Sequence, residues 1–431
     1  MLTYLSFIFR ITKFLCGGLF MTKRFPLAVW ATAFAALIAF MGIGIVDPLL
    51  PLIGKAMGAS PVQVEWLFTS YIAVMAIAML LSGVLSTRFG GRRVMLIGLS
   101  LVVVFASLSG LAPSIGFLAT VRAGWGLGNA FFTSTALSII VGASTGGMGA
   151  AITLYEAALG LGIASGPLIG GALGSITWRL PFFGTAVLMA IAVIFTFALV
   201  KEPKTKEPPR RARDVFVAMK HPAVLSNALI GLVYSFSFFT ILAYSPLTLK
   251  GLSSMSLGWT YFAWGILVGI SSVFVVNWLR PLFGPIRLLE FNMVGLIAIF
   301  VAAGLVHGSG LLLVIVLSGF FCGIANALFT TLAMEVSPFS RSISSGTYNF
   351  VRWSGAALAP VLSGWIGSSF GMSAPFWIAA VLLFMGLIAL IFTSPILKTG
   401  LEANGQSEGL HGGHGHTGHT VPSAEQSAEQ V

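Results

Sequence analysis

The chain has 431 residues, is 57% hydrophobic and only 8% charged, and carries a formal net charge of +11. A soluble domain carries about 25% charged residues, so most of this surface must face hydrocarbon, which excludes an ordinary water-soluble protein. The positive charge calls for no nucleic acid: 18 of the 23 Lys and Arg fall in alternate connecting segments, beginning with the N-terminus. Only Lys55, Arg179 and Lys250 fall in the segments between, and Arg122 and Arg352 lie within apolar stretches. That asymmetry predicts a multi-pass cell-membrane protein with both termini in the cytoplasm.

Residues 1–24 read as a cytoplasmic extension. The apolar start of this segment lacks a small-residue cleavage site, so it is not a signal peptide. A start of translation at Met21 and an interfacial helix remain open. The first six apolar stretches lie near 25–46, 64–86, 94–112, 116–139, 148–173 and 180–200. Each is close to the ~20 residues a helix needs to cross the hydrocarbon. The first ends in GIGIVDPLLP, with Asp47 at its outer end; an interfacial cap and a proton-handling acid are both open readings. After the second comes Gly83-Val-Leu-Ser-Thr87-Arg88-Phe-Gly90-Gly91-Arg92-Arg93. Gly83 would let helices approach, Gly90 would make the turn, and the arginines would meet lipid headgroups and helix carbonyl ends. The fourth stretch carries Arg122-Ala-Gly-Trp125-Gly126-x-Gly128-Asn129-Ala130. The fifth carries Glu156, about ten residues in, and then Gly162-x-x-x-Gly166-Pro167-x-x-Gly170-Gly171. These glycines suit close packing against a neighbour, and a leucine at Gly166 is expected to jam that contact.

Residues 25–200 form a first six-helix unit, and the charged run at 201–222 reads as a cytoplasmic linker. Six further stretches near 223–246, 257–279, 288–306, 310–333, 344–369 and 374–393 form the second unit, residues 223–393. Three sets of matches at nearly constant offset relate the halves: Gly126, Asn129 and Thr133 to Gly323, Asn326 and Thr330; Tyr155, Pro167 and Gly171 to Tyr348, Pro360 and Gly364; Pro181-Phe182 to Pro375-Phe376. A duplicated six-helix unit follows. Residues 394–431 read as a disordered tail, in which His411, His414, His416 and His419 are metal-ligand candidates beside a plain solvated-tail reading. Cys16 and Cys322 make no disulfide framework, and no cofactor is expected.

Four ionisable residues are read as lying within spans: Asp47, Arg122, Glu156 and Arg352. A charge at the bilayer centre costs at least ~2.5–3.5 kcal/mol, so each is a candidate for function. Glu156 is expected to face a central cavity and to load and release a proton; a permanent ion pair with Arg122 or Arg352 is the alternative. Arg122 is expected to tune a neighbouring carboxylate. Arg352 could pair with Glu156, hold an anionic substrate, or snorkel to the interface. Trp125, Trp264 and Trp353 suit aromatic cavity walls, although packing rings are commoner.

The loop after the second stretch resembles the GxLaDRxGRR signature of the major facilitator superfamily, with Thr87 where that signature has aspartate. The Gly162–Gly171 pattern resembles the GxxxGPxxGG of its drug:proton antiporters. Arg122 to Ala130 resembles that family's RxxqGxgaA, and Trp178-Arg179-x-x-Phe182 its WRxxF. The resemblance implies an all-α membrane protein of 12 transmembrane helices in two pseudo-symmetric six-helix bundles. It further implies a monomer, not an enzyme, that exports hydrophobic or amphipathic toxic compounds by proton antiport with alternating access. Export of an endogenous metabolite or lipid, or sensing without transport, remains open.

Overall fold

The structure, a computed structural model, describes residues 25–143, 148–202, 212–249, 251–339 and 341–412. Twelve long helical segments follow one another: α1 (Leu27–Met57), α2 (Pro61–Phe89), α3 (Gly91–Gly110), α4 (Ile115–Ala143), α5 (Met148–Gly174) and α6 (Leu180–Leu199), then α7 (Pro222–Thr248), α8 (Ser254–Phe283), α9 (Pro285–Leu305), α10 (Ser309–Glu335), α11 (Arg341–Phe370) and α12 (Ala374–Gly412). Among the described residues nine of them are long and apolar enough to cross a membrane. The others, α4, α5 and α11, have 29, 27 and 30 residues, enough at 1.5 Å per residue to span ~30 Å of hydrocarbon. Large apolar side chains such as Trp30, Ile77, Phe197, Phe291 and Phe392 stand exposed. A soluble fold would bury them; a multi-pass membrane protein presents them to lipid.

Local chemistry sets the helix ends. Ser60 accepts the Gln63 amide while the Gln63 side chain accepts from the Ser60 amide, with Pro61 at the first position, so α2 starts sharply. Gly90 and Gly284 occupy the same place in the two halves, between α2 and α3 and between α8 and α9. Both have positive φ, +93° and +74°, a conformation that favours glycine.

The two halves repeat one packing scheme. In the first, α1 packs on α5, α2 and α3 on α4, and α3 on α6; in the second, α7 packs on α11, α8 and α9 on α10, and α9 on α12. Each pair recurs six helices later, as the offsets between repeats predict. The halves meet through α2 against α11 and α5 against α8. The loops from each odd-numbered helix to the next even-numbered one share one end. That end is termed the outer end, after the sidedness that the charge asymmetry predicts.

Three boundaries differ from expectation. The first apolar stretch does not stop at 46: it passes through a 3-10 turn at Asp47–Leu49 and resumes as Leu50–Met57. Pro48 and Pro51 read as terminators, yet a 3-10 turn and a helix start both tolerate proline. The linker contains a short helix, Ala212–Ala218. The tail is helical further than expected, since α12 continues to Gly412. Residues 1–24 and 413–431, with His414, His416 and His419, lie outside the described residues, as does the side chain of His411.

Cysteine labelling checks the orientation. A cysteine replacing Lys55 should react with an impermeant reagent on intact cells. Cysteines replacing Thr205 or Gly405 should react only after permeabilisation, and reaction of the latter on intact cells would refute cytoplasmic termini.

Candidate functional site

The first half holds a dry polar core around the break in α1. Asp47 opens the 3-10 turn and is wholly buried. Its carboxylate leans on its own backbone amide and has no other hydrogen-bond partner. From α1's first residue to Asp47 is twenty residues, about 30 Å of rise, with about 15 Å remaining to Met57. Asp47 therefore lies within a continuing helical path rather than at its end.

Arg122 on α4 is also wholly buried. Its Nη1 donates to the Gly42 carbonyl of α1 at 3.3 Å, and its Nε to the Leu67 carbonyl of α2 at 3.5 Å. The guanidinium carbon lies 4.5 Å from the Tyr71 ring centroid and 4.7 Å from that of Trp125. Aromatic faces and carbonyl oxygens stabilise a desolvated guanidinium without neutralising it. Nη2 has no hydrogen-bond partner, and Asp47 lies within electrostatic reach. Asn129, one turn beyond Trp125 on α4, fixes the aromatic wall by donating to the Tyr71 hydroxyl and, at 3.0 Å, to the Ala39 carbonyl.

A second acid belongs to this core. Glu65, in the second turn of α2, is wholly buried, with no hydrogen-bond partner on either oxygen. It lies within electrostatic reach of Asp47, Tyr244 and Tyr261. Sequence reasoning missed it, because an acid one turn past a helix start reads as an interfacial residue. The Ser60–Gln63 capping box marks where α2 starts but not what packs against Glu65.

In the second half, Arg352 of α11 is held locally. Its Nη2 donates to Asn326 Oδ1 at 2.6 Å and its Nε to Ser235 Oγ at 3.2 Å, with the Tyr348 and Trp353 rings beside it at 5.7 and 5.5 Å. Repeat-related Asn129 and Asn326 thus do different work: one orders an aromatic wall, the other binds a cation. Glu156 lies on α5, and its side chain is outside the described residues. Trp125 and Trp264 are wholly buried, the latter donating to Ser318, so neither is a cavity wall. Trp353 is half-buried and packs on Phe239. Among the described residues no three His, Cys, Asp or Glu gather as a metal site.

Two motifs serve the scaffold. At the turn after α2, the Arg92 side chain donates to the Phe197 carbonyl in the last turn of α6 at 2.8 Å, and its backbone amide donates to Glu202 at 3.1 Å. The Glu202 carboxylate thereby sits on the first turn of α3, where a negative charge is favourable. It also lies 2.9 Å from where a Gly90 Cβ would be, so glycine serves both the turn and the close approach. Arg88 stacks on Phe89 and Arg93 is exposed; the surroundings of Gly83 lie outside the described residues.

The glycines of α5 divide between two faces. Gly162, Gly166 and Gly170 abut α1, where a Cβ would come within 2.5 Å of the Leu37 carbonyl, 2.6 Å of that of Met41 and 2.2 Å of that of Ile45. Gly171 instead meets α8 of the other half, 2.5 Å from the Ser254 carbonyl, and Gly258 of α8 meets the Pro167 carbonyl at 2.7 Å.

The chain matches the family model of the Major Facilitator Superfamily over residues 32–360. It is 45% identical over 371 residues to the multidrug efflux protein YfmO of Bacillus subtilis, covering 85% of this chain and 93% of that protein. It is 24% identical over 358 residues to multidrug resistance protein 1 of the same organism, covering 81% and 92%. Among solved structures, a bacterial homologue of the human lysosomal transporter Spinster, in an inward-facing and occupied conformation, superposes with a TM-score of 0.73 at 16% identity. That match covers 86% of this chain and 97% of the other.

Proposed function

We infer that this chain, which belongs to the Major Facilitator Superfamily, exports lipophilic and amphipathic compounds from the cell in exchange for protons, by alternating access between its two halves. The observation that carries the reading is the pair Asp47 and Arg122: a wholly buried carboxylate without an external hydrogen bond, within electrostatic reach of a wholly buried guanidinium. An ionised carboxylate in so dry a site, without a bonded partner, is costly. Binding and release of a proton or a cationic substrate there changes the balance of the core, as a coupling site requires. The name of the Bacillus relative, a multidrug efflux protein, supports the substrate class.

Asp47 and Glu156 are assigned as proton carriers, with Arg122 tuning Asp47. Arg352 is assigned to the second-half wall, where its bonds to Asn326 and Ser235 leave it fixed.

The test is a panel of lipophilic dyes and drugs in a host lacking its own pumps. Expression should lower accumulation of several panel members, and a protonophore should abolish the effect. A panel with no responder, or export indifferent to the protonophore, would refute the reading. Glu156→Gln should remove export while leaving the amount of protein in the membrane unchanged. Full export by that variant would withdraw Glu156 from the carriers.

A further inference from the structure

Glu65 stands where the two halves touch. The contact of α2 with α11 runs along one face of each helix: Thr69 Oγ1 of α2 donates to the Ala357 carbonyl of α11 at 2.9 Å. One turn further out, a Cβ on Gly364 would lie 3.2 Å from Glu65 Cγ and 3.5 Å from Val62 Cα. A side chain at Gly364 would press on the glutamate stem, which would have to shift by a few tenths of an ångström. Tyr244 of α7, within electrostatic reach of Glu65, donates to the Met372 carbonyl just beyond α11 and packs on Gly367. A wholly buried carboxyl without a hydrogen-bond partner thus sits at this contact between the halves.

We propose that Glu65 is the protonation latch of this outer seal: with a proton on its carboxyl the α2–α11 contact closes, and without it the contact parts and the outer end opens to water. The argument is one of solvation. An unpartnered ionised carboxylate is far less tolerable in a dry contact than a neutral carboxylic acid, whereas in water the ionised form is fully solvated. The groups facing Glu65 reinforce this. Asp47 of α1 is a like charge when ionised, Tyr244 of α7 and Tyr261 of α8 carry no positive charge, and Gly364 of α11, which carries none, lies against the Glu65 stem. Arg122 is turned to the Leu67 carbonyl and to Asp47. The proton comes from the external water while the outer end is open. The inference takes from the proposed function only the side that supplies the proton, and it is testable without transport.

The experiment places spin labels on two exposed outer-loop positions, Ile176→Cys in the first half and His307→Cys in the second, with Cys16 and Cys322 replaced by alanine. Distances are read by pulsed electron resonance in lipid nanodiscs, without substrate or gradient, from about pH 5 to about pH 9. In the otherwise wild-type protein the ratio of long to short distances should rise with pH, by up to about tenfold per pH unit for a single linked proton. Glu65→Gln, neutral at every pH, should stay short throughout, and Glu65→Asp should respond to pH again. Glu65→Ala should lose the response even if it alters the resting spacing. A wild-type spacing indifferent to pH, or a Glu65→Gln variant that keeps the wild-type response, overturns the latch. If Asp47→Asn removes the response and Glu65→Gln does not, the proton belongs to Asp47. Absence of drug export would leave these distances unaffected, so failure of the latch and failure of the efflux reading are told apart.

Discussion

Export by an Asp47→Asn variant should fall to the level seen with a protonophore, while the protein still inserts. Asparagine keeps the shape of the side chain and its contact with the local backbone, so the 3-10 turn at Asp47–Leu49 has no reason to unfold. What is lost is the titrating group. For a neutral substrate exchanged against one proton, each ~100 mV of membrane potential supplies ~2.3 kcal/mol, which sustains a concentration ratio of about 40-fold. Uncoupling therefore predicts a collapse of that order in the gradient held at steady state. Exchange of substrate down its own gradient should persist, because the path between the halves is intact. Accumulation in energised vesicles, compared with counterflow in de-energised ones, separates the two. Loss of both would point to a structural role for Asp47, and retention of uphill transport would move the coupling to Glu156 or Glu65. Arg122→Lys offers a second reading of the same site. Lysine keeps the charge but cannot stack on Tyr71 and Trp125 while reaching the Gly42 and Leu67 carbonyls.

How far the site could be read from the sequence follows from the kind of signal each part leaves. The twelve spans and the two-fold repeat are legible, because hydropathy is a property of the segment and duplication leaves fixed offsets, as at Gly90 and Gly284. Asp47 and Arg122 are legible as isolated charges in apolar runs, although their juxtaposition is not: it depends on α1, α2 and α4 meeting. The continuation of α1 beyond Asp47 is not legible, because Pro48 and Pro51 look like the end of a span, whereas the chain turns through them and continues to Met57. Glu65 and Glu202 were invisible for a different reason. Each lies near a helix end, where acids are ordinary. Only tertiary contact, with Gly364 of α11 in one case and with Gly90 and Arg92 in the other, makes them unusual. The glycines of α5 show the same limit. Their spacing announces close packing but not which neighbour each one meets.

That distinction leads to opposite expectations for two glycines five residues apart. Gly171→Leu should hold the protein open at the outer end, whereas Gly166→Leu should weaken the first half without choosing a state. A side chain at 171 would run into the Ser254 carbonyl and the Gly258 Cα of α8, atoms of the opposite half. That contact belongs to the state in which the outer end is shut, so the overpacking penalty, about 1–3 kcal/mol, falls on that state alone. A penalty of this size displaces a two-state equilibrium by about 5- to 150-fold. A side chain at 166 would run into the Met41 carbonyl and the backbone of Gly44 and Ile45. These atoms are in α1 of the same half, and they stay beside α5 if the half moves as a unit. The penalty is then carried by every folded state and appears as lower thermal stability and less inserted protein. Leucine at Gly166 thus jams the α1–α5 contact inside the first half, as its spacing predicts, whereas leucine at Gly171 jams the contact between halves. Outer-loop distances and melting temperature, measured together on both variants, decide it. A Gly171→Leu protein with wild-type distances and full export would mean that α5 and α8 do not part during the cycle.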